Sequence, residues 1–163
     1  MPAISNPRQV ILVTSRAVTD IFGKETTKDD AITVTWHMPC SHDPELYAVC
    51  IGKKRFSYSL IMKSGVFAVN FIPQSFEEKA LFCGTHSGEH IDKFRQAGIA
   101  KEECDNIDCS RITDAVAYIE CEVVNEIEAG DHVIFIGKVL SSATKNDKKR
   151  LFQAIGSRFT TTL

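Results

Sequence analysis

A chain of 163 residues is the size of one ordinary domain, long enough to bury a core without disulfide or metal staples. Its 44% hydrophobic and 25% charged residues exclude a disordered tract, and a formal net charge of -2 excludes the broad basic field that draws nucleic acid. No apolar run approaches the roughly 20 residues needed to cross a bilayer, and the short polar N-terminus lacks the pattern of a secretory signal. The expectation is a single domain over residues 1–163 in the cytoplasm, with neither membrane nor nucleic acid as partner.

In chain order, segments 9–14, 32–36, 47–51 and 66–71 are rich in β-branched and aromatic residues and bounded by turn formers, so each is predicted to be a strand. Helix 75–83 follows, with Ser75 and Glu78 as a capping box and Gly84 as a left-handed stop. A second helix over 88–97 carries Ile91, Phe94 and Lys93 and stops at Gly98. Strand 116–127 alternates Ala117, Ile119, Cys121 and Val123 with Glu120 and Glu122, which predicts one apolar face and one wet face. Residues Glu128 to Asp131 turn the chain into strand 133–140, where Val133 and Phe135 alternate with Ile134 and Ile136. Strands, then helices, then a strand pair argue against βαβ units and for an antiparallel barrel with helices packed outside, leaving room for a further helix near the C-terminus.

The chain contains no G-x-G-x-x-G, no phosphate loop, no G-x-S-x-G and no H-E-x-x-H, so Rossmann, P-loop and the best-marked hydrolase chemistries have no anchor. Six cysteines are scattered through apolar segments and are expected to be free thiols in a reducing compartment. Cys83, His86 and His90 are spaced C-x2-H-x3-H, and His37, Cys40 and His42 are spaced H-x2-C-x-H. Either set could be half of a zinc site, but neither has an obvious second pair, so no metal is expected.

Five short patterns occur in order along nearly the whole chain. They are Thr33 to Ser41 with Pro44, Lys53 to Ser59 leading into Ser64 to Asn70, Cys83 to Gly88 with Asp92 to Phe94, Glu120 and Cys121 with Gly130 to His132 and Gly137 to Val139, and Gly156 to Thr160. Together they resemble the flavin reductase-like, FMN-binding family, flavoredoxin among them. Three departures stand out: Asp30 in place of an asparagine, Ser57 in place of the usual threonine, and a chain that stops soon after Phe159.

The resemblance implies a mainly β fold with flanking helices, an antiparallel Greek-key split β-barrel of FMN-binding type. It also implies a homodimer with FMN at the subunit interface, Phe159 reaching the partner's flavin, and His132 lying close to the cofactor. The residue chemistry agrees. Ser57, Ser59, Lys53, Arg55 and Lys93 supply the hydroxyls and cations a phosphate needs, and Trp36 and Phe159 supply flat apolar surface for a ring. Backbone N–H groups in a loop including Met38, Cys40 and Ser41 are expected to meet the flavin pyrimidine edge. Read without the family, Trp36 is a core aromatic, Lys53 to Arg55 a solvated charge run, Lys93 a solvent-facing lysine, and Ser57 and Ser59 caps of a following turn.

The function expected is an NAD(P)H-dependent flavin oxidoreductase delivering electrons to a small-molecule or protein acceptor, with no side chain required as acid or base. The alternatives are a non-enzymatic FMN electron carrier serving a protein partner, and a small metal-binding or interaction module.

Overall fold

The structure is a computed structural model that describes residues 3–162. Strands β1 (Arg8–Gln9), β2 (Ile11–Ile21), β3 (Lys24–Val34), β4 (His37–His42) and β5 (Glu45–Gly52) lead into helix α1 (Phe56–Ser64) and strand β6 (Val66–Phe71). Helices α2 (Glu77–Thr85) and α3 (Lys93–Ala97) precede the short strands β7 (Lys101–Glu103) and β8 (Ser110–Ile112). The long hairpin of β9 (Ala117–Ala129) and β10 (His132–Thr144) and the pair β11 (Leu151–Ile155) and β12 (Arg158–Thr161) complete the chain.

Seven strands form one sheet in the order β3-β2-β6-β9-β10-β5-β4, with every neighbouring pair antiparallel. Its two ends, β3 and β4, are consecutive in sequence and joined only by Thr35 and Trp36, and the Cys50 N–H donates to the Trp36 carbonyl at 2.9 Å. The sheet therefore curls back on itself. β5 and β6, also consecutive, are separated in the sheet by β9 and β10, which makes the connection Greek-key rather than a simple meander. This is the expected split β-barrel.

β2 explains why the apolar run at its start is continuous instead of alternating. Ile11 and Val13 point into the barrel with Val49, Phe67, Val69 and Phe135, while Val10 and Leu12 point outward against Ile72, Phe76, Phe94 and Leu151. Both faces are covered, so both must be apolar. The outer cluster is roofed by α2, α3 and the β11–β12 hairpin.

Four expectations are corrected. Glu120 does not face water: it is 0% exposed, because the segment around β7 and β8 folds over that face of β9. Its carboxylate accepts from the Asp105 and Asn106 backbone N–H groups (3.1 and 2.8 Å) and from Arg111 (2.7 Å), which satisfies the buried charge. Gly84 does not end a helix. It lies inside α2, with no side-chain cap at the helix start, and it is small because a Cβ there would come within 3.3 Å of the Thr33 Cβ, so its role is close helix–strand approach. The second helix is shorter than expected. Asp92 caps α3 by accepting from the Arg95 N–H at 3.1 Å, and Gly98 takes the left-handed conformation with φ of 63°, as anticipated. The C-terminal region is the β11–β12 hairpin, not a helix.

Candidate functional site

Three adjoining clefts open along the outer side of β3, sharing walls through Ile32, Arg55, Thr33, Thr35 and Thr85. The first, about 170 Å³, is lined by Trp36, Cys50, Gly52, Arg55 and His132 among others. The second, about 210 Å³, lies between Lys54, Arg55 and Ser57 on one side and Thr85, His86 and Ser87 on the other, with Asp30 and Lys93 at its floor. The third, about 310 Å³, runs between α2 and the β11–β12 hairpin beside Phe159. Joined, they make one groove within the range of roughly 300–1,000 Å³ usual for a small-molecule site.

One end of the groove suits an anion. The β5–α1 link ends at Arg55, the residue preceding α1, and the Phe56 and Ser57 N–H groups of the first turn have no acceptor among the described residues. The helix dipole adds positive potential at that end. Neither Lys54 nor Arg55 has an ion-pair partner among the described residues, so both cations are available there. Lys53 is turned elsewhere, with its Nζ 3.4 Å from Glu128 and its N–H donating to the Asp131 carbonyl.

The other end suits a flat ring. Trp36, in the link between β3 and β4, lies 4.8 Å from the His132 ring at 37°, and His132 opens β10 directly opposite Gly52 of β5. The His132 Nδ1–H donates to Asp131 at 2.7 Å, which fixes the ring orientation. Behind Trp36, His37 is held from both sides: its Nε2–H donates to the Gln9 carbonyl at 2.9 Å and its Nδ1 accepts from the Tyr47 hydroxyl at 2.7 Å. Burial holds the His37 imidazole below its ordinary value, against the Gln9 carbonyl, and pushes the Tyr47 phenol up to about 12. The neutral pair anchors β4 at the point where Trp36 leaves it.

Of the residues singled out in the sequence, Trp36, Arg55, Ser57, Lys93, His132 and Phe159 line the groove. Met38, Cys40 and Ser41 do not. They belong to edge strand β4 instead of a loop, paired with β5 through a bulge at Cys40, and Met38 is 58% exposed. Ser59 does not line it either, since its hydroxyl donates to the Phe56 carbonyl inside α1 at 2.8 Å.

Lys93 departs from both of its readings. It is only 3% exposed, donating to the Ala31 and Cys83 carbonyls at 2.8 and 3.1 Å, with Asp30 at 3.1 Å. An ammonium has three hydrogens, so two go to carbonyls and the third lies beside the carboxylate, leaving none for a ligand phosphate. Ser57 is likewise buried and donates to Asp30 at 2.5 Å.

Sequence reasoning missed Asp30, Thr85, His86 and Ser87 as groove residues. Asp30 stood out only as a departure from the family's asparagine, and the last three only as part of a longer pattern. Phe159 is half-buried, packed against its own outer core. Two cysteines border the groove: burial raises the Cys83 thiol to about 11 and also raises Cys50, so both are protonated at neutral pH. Among the described residues no three His, Cys, Asp or Glu side chains converge on a common point; Cys83 is buried, His86 stacks on Phe82, and His90 stacks on Phe22.

The flavin reductase like domain family matches this chain over residues 4–160. An uncharacterised protein of Archaeoglobus fulgidus is 33% identical over 113 residues, which are 69% of this chain and 64% of that protein. The chain thus spans just under two thirds of that relative's length. The NADH-dependent FAD reductase of Streptomyces globisporus is 27% identical over 171 aligned positions, covering 97% of this chain and 92% of that protein. Among solved structures, the FMN-binding protein from Thermus thermophilus with bound p-hydroxybenzaldehyde superposes with a TM-score of 0.85 at 21% identity, covering 99% of this chain and 89% of that one. That likeness establishes the fold, and no helix of the described residues is long and apolar enough to cross a membrane. With the family match running nearly end to end over a split barrel, the chain belongs to the flavin reductase-like family.

Proposed function

We propose that the groove binds FMN and that the chain works as an NAD(P)H-dependent flavin oxidoreductase. The observation that carries this reading is the continuity of the groove, from a cationic helix N-terminus at α1 to the Trp36–His132 ring pair. A phosphorylated flavin has the same two ends, an anion and a flat ring, and the free Phe56 and Ser57 N–H groups with Arg55 and Lys54 fit the first while Trp36 fits the second.

Bound flavin supplies the hydride acceptance and electron release that no side chain here provides. The chain's part is placement. Arg55, Lys54 and the α1 N-terminus hold the phosphate, Trp36 and His132 cover part of the ring, and the His37–Tyr47 pair keeps the Trp36 segment from shifting. Fixing the donor and acceptor in one groove turns a bimolecular encounter into a near-intramolecular step, which is where such a site gains rate. A homodimer, as the family resemblance implies, would roof the groove from outside and exclude water from it.

The test is anaerobic stopped-flow mixing of the FMN-loaded protein with NADH and with NADPH. Rapid loss of flavin absorbance with at least one of them is expected. Stable binding of FMN without bleaching by either would replace the reductase with an electron carrier that exchanges with a protein partner.

A further inference from the structure

We propose that Asp30 sets how strongly the groove prefers a phosphorylated flavin over an unphosphorylated one, by withholding Lys93 from the ligand. This rests on the flavin reading above and concerns the floor of the same groove.

Two kinds of cation line the second cleft. Lys54 and Arg55 stand at its mouth and reach solvent, whereas Lys93 is enclosed at its floor. Were Lys93 alone there, its charge would dominate the pull on a phosphate, because a buried cation is screened least. Asp30 on β3, 1% exposed, cancels that pull. Its Oδ1 lies 3.1 Å from Lys93 Nζ, while its Oδ2 takes the Ser57 hydroxyl at 2.5 Å. The Oδ1 contact is close enough to be an ion pair yet has no well-aligned hydrogen bond, so it acts through charge more than through direction.

Gly88 closes the carboxylate in: a Cβ at that position would sit 2.1 Å from Oδ1, so only glycine lets the chain lie this tightly over it. The floor is therefore neutral as a pair, and an anion entering the cleft meets a carboxylate as near as an ammonium. Attraction for phosphate falls to Arg55, Lys54 and the first-turn amides of α1. In this chain the phosphate end is tuned to a weaker hold than its count of cations suggests, and the tuning residue is Asp30.

The experiment compares the affinities of FMN and riboflavin, which share the ring and differ in the phosphate, for three proteins. These are the wild type, Asp30→Asn, and the double variant Asp30→Asn with Lys93→Met. The ratio of the two affinities cancels any damage to the ring site or to folding that both ligands feel alike. Asp30→Asn is expected to raise the FMN-over-riboflavin ratio by about tenfold, since one low-dielectric charge is released toward the phosphate. The double variant, with both charges replaced by neutral side chains of similar size, is expected to return within about twofold of the wild-type ratio, as for a pair whose charges already cancelled.

An unchanged ratio in Asp30→Asn would overturn the inference. So would a tenfold fall in the double variant, which would mean that Lys93 holds the phosphate in the wild type despite Asp30. If Asp30→Asn does not fold, Lys93→Met alone replaces it. The Asp30 charge left unopposed is then expected to lower the ratio by about tenfold while the double variant keeps it. An unchanged ratio in Lys93→Met would overturn the inference. A wild type that binds neither ligand defeats the flavin reading itself, whereas one that binds both with a ratio insensitive to these changes defeats only the role of Asp30.

Discussion

A lysine ammonium left alone in a protein interior is costly, and at Lys93 the cost is met by two carbonyls and one carboxylate of the same chain. Removing one member of the pair exposes what the other was offsetting. Lys93→Ala strands Asp30 as an unpaired buried charge and should destabilise the fold by about 3–5 kcal/mol in urea unfolding. A change within experimental error would mean that the pair is hydrated and loosely held. The sequence announced Lys93 as a site residue through its place beside Asp92 and Phe94, and it does line the groove. What sequence could not convey is that its hydrogens are already committed, because that depends on where the carbonyls of Ala31 and Cys83 come to lie. The same limit applies to Ser57 and Ser59: hydroxyl chemistry is legible in a sequence, but the acceptor each hydroxyl meets is not.

Among elements, the strands most plainly written in the sequence are those with a strong two-residue period or with both faces apolar. β6 coincides with the predicted 66–71, and the β9–β10 turn at Gly130 and Asp131 falls where the turn formers put it. α1 was not legible, because a nine-residue helix carrying three serines has little apolar stripe, and its N-terminus contributes to the site through backbone amides that no side-chain pattern marks. Glu120 was misread for a related reason: alternation predicts which residues share a face, not whether a distant segment will cover it. Glu120→Ala should cost about 1–3 kcal/mol, since it leaves the Asp105 and Asn106 backbone N–H groups without their acceptor, while Arg111 keeps Glu102 and Asp105. Faster proteolysis between residues 104 and 109 should accompany the loss, and unaltered cleavage would show that the loop is held by other contacts.

The His37–Tyr47 pair ties β4 to β5 and to Gln9, and its contribution to stability depends on pH at both ends. With its folded value below the ordinary 6.5, His37 is protonated more readily in the unfolded chain. It therefore stabilises above about pH 6.5, and that stability is lost as pH falls through the folded value. Tyr47, raised from 10.0 to about 12, stabilises below pH 10 and loses its contribution as pH rises through about 12. His37→Phe should flatten the fall in urea midpoint between neutral pH and about pH 5. An acid limb as steep as that of the wild type would assign the pH response to groups other than His37. Asp29 is not among them, since its carboxyl titrates below its ordinary 3.8, outside this window. Burial alone would raise the Asp29 carboxyl, but hydrogen bonds from Arg16, Lys101 and Ser110 hold it below the usual range.

For the molecule as a whole, the barrel's closure through Thr35 and Trp36 puts the ring end of the groove at the seam of the sheet, while α1 puts the anion end at the neighbouring corner. One topological feature, the return of β5 beside the end of β3, thus brings the two ends together across residues far apart in sequence. Sedimentation of the flavin-loaded protein should show a dimer, and a monomer with undiminished flavin affinity would remove the partner from the site. Equilibrium titration of the wild-type protein with FMN, followed by quenching of flavin fluorescence, bears on the groove most directly. Saturation at a single equivalent per chain, weakened by Trp36→Ala and by Arg55→Ala, is the expected result. Full fluorescence maintained into the millimolar range would mean that this groove does not hold a flavin.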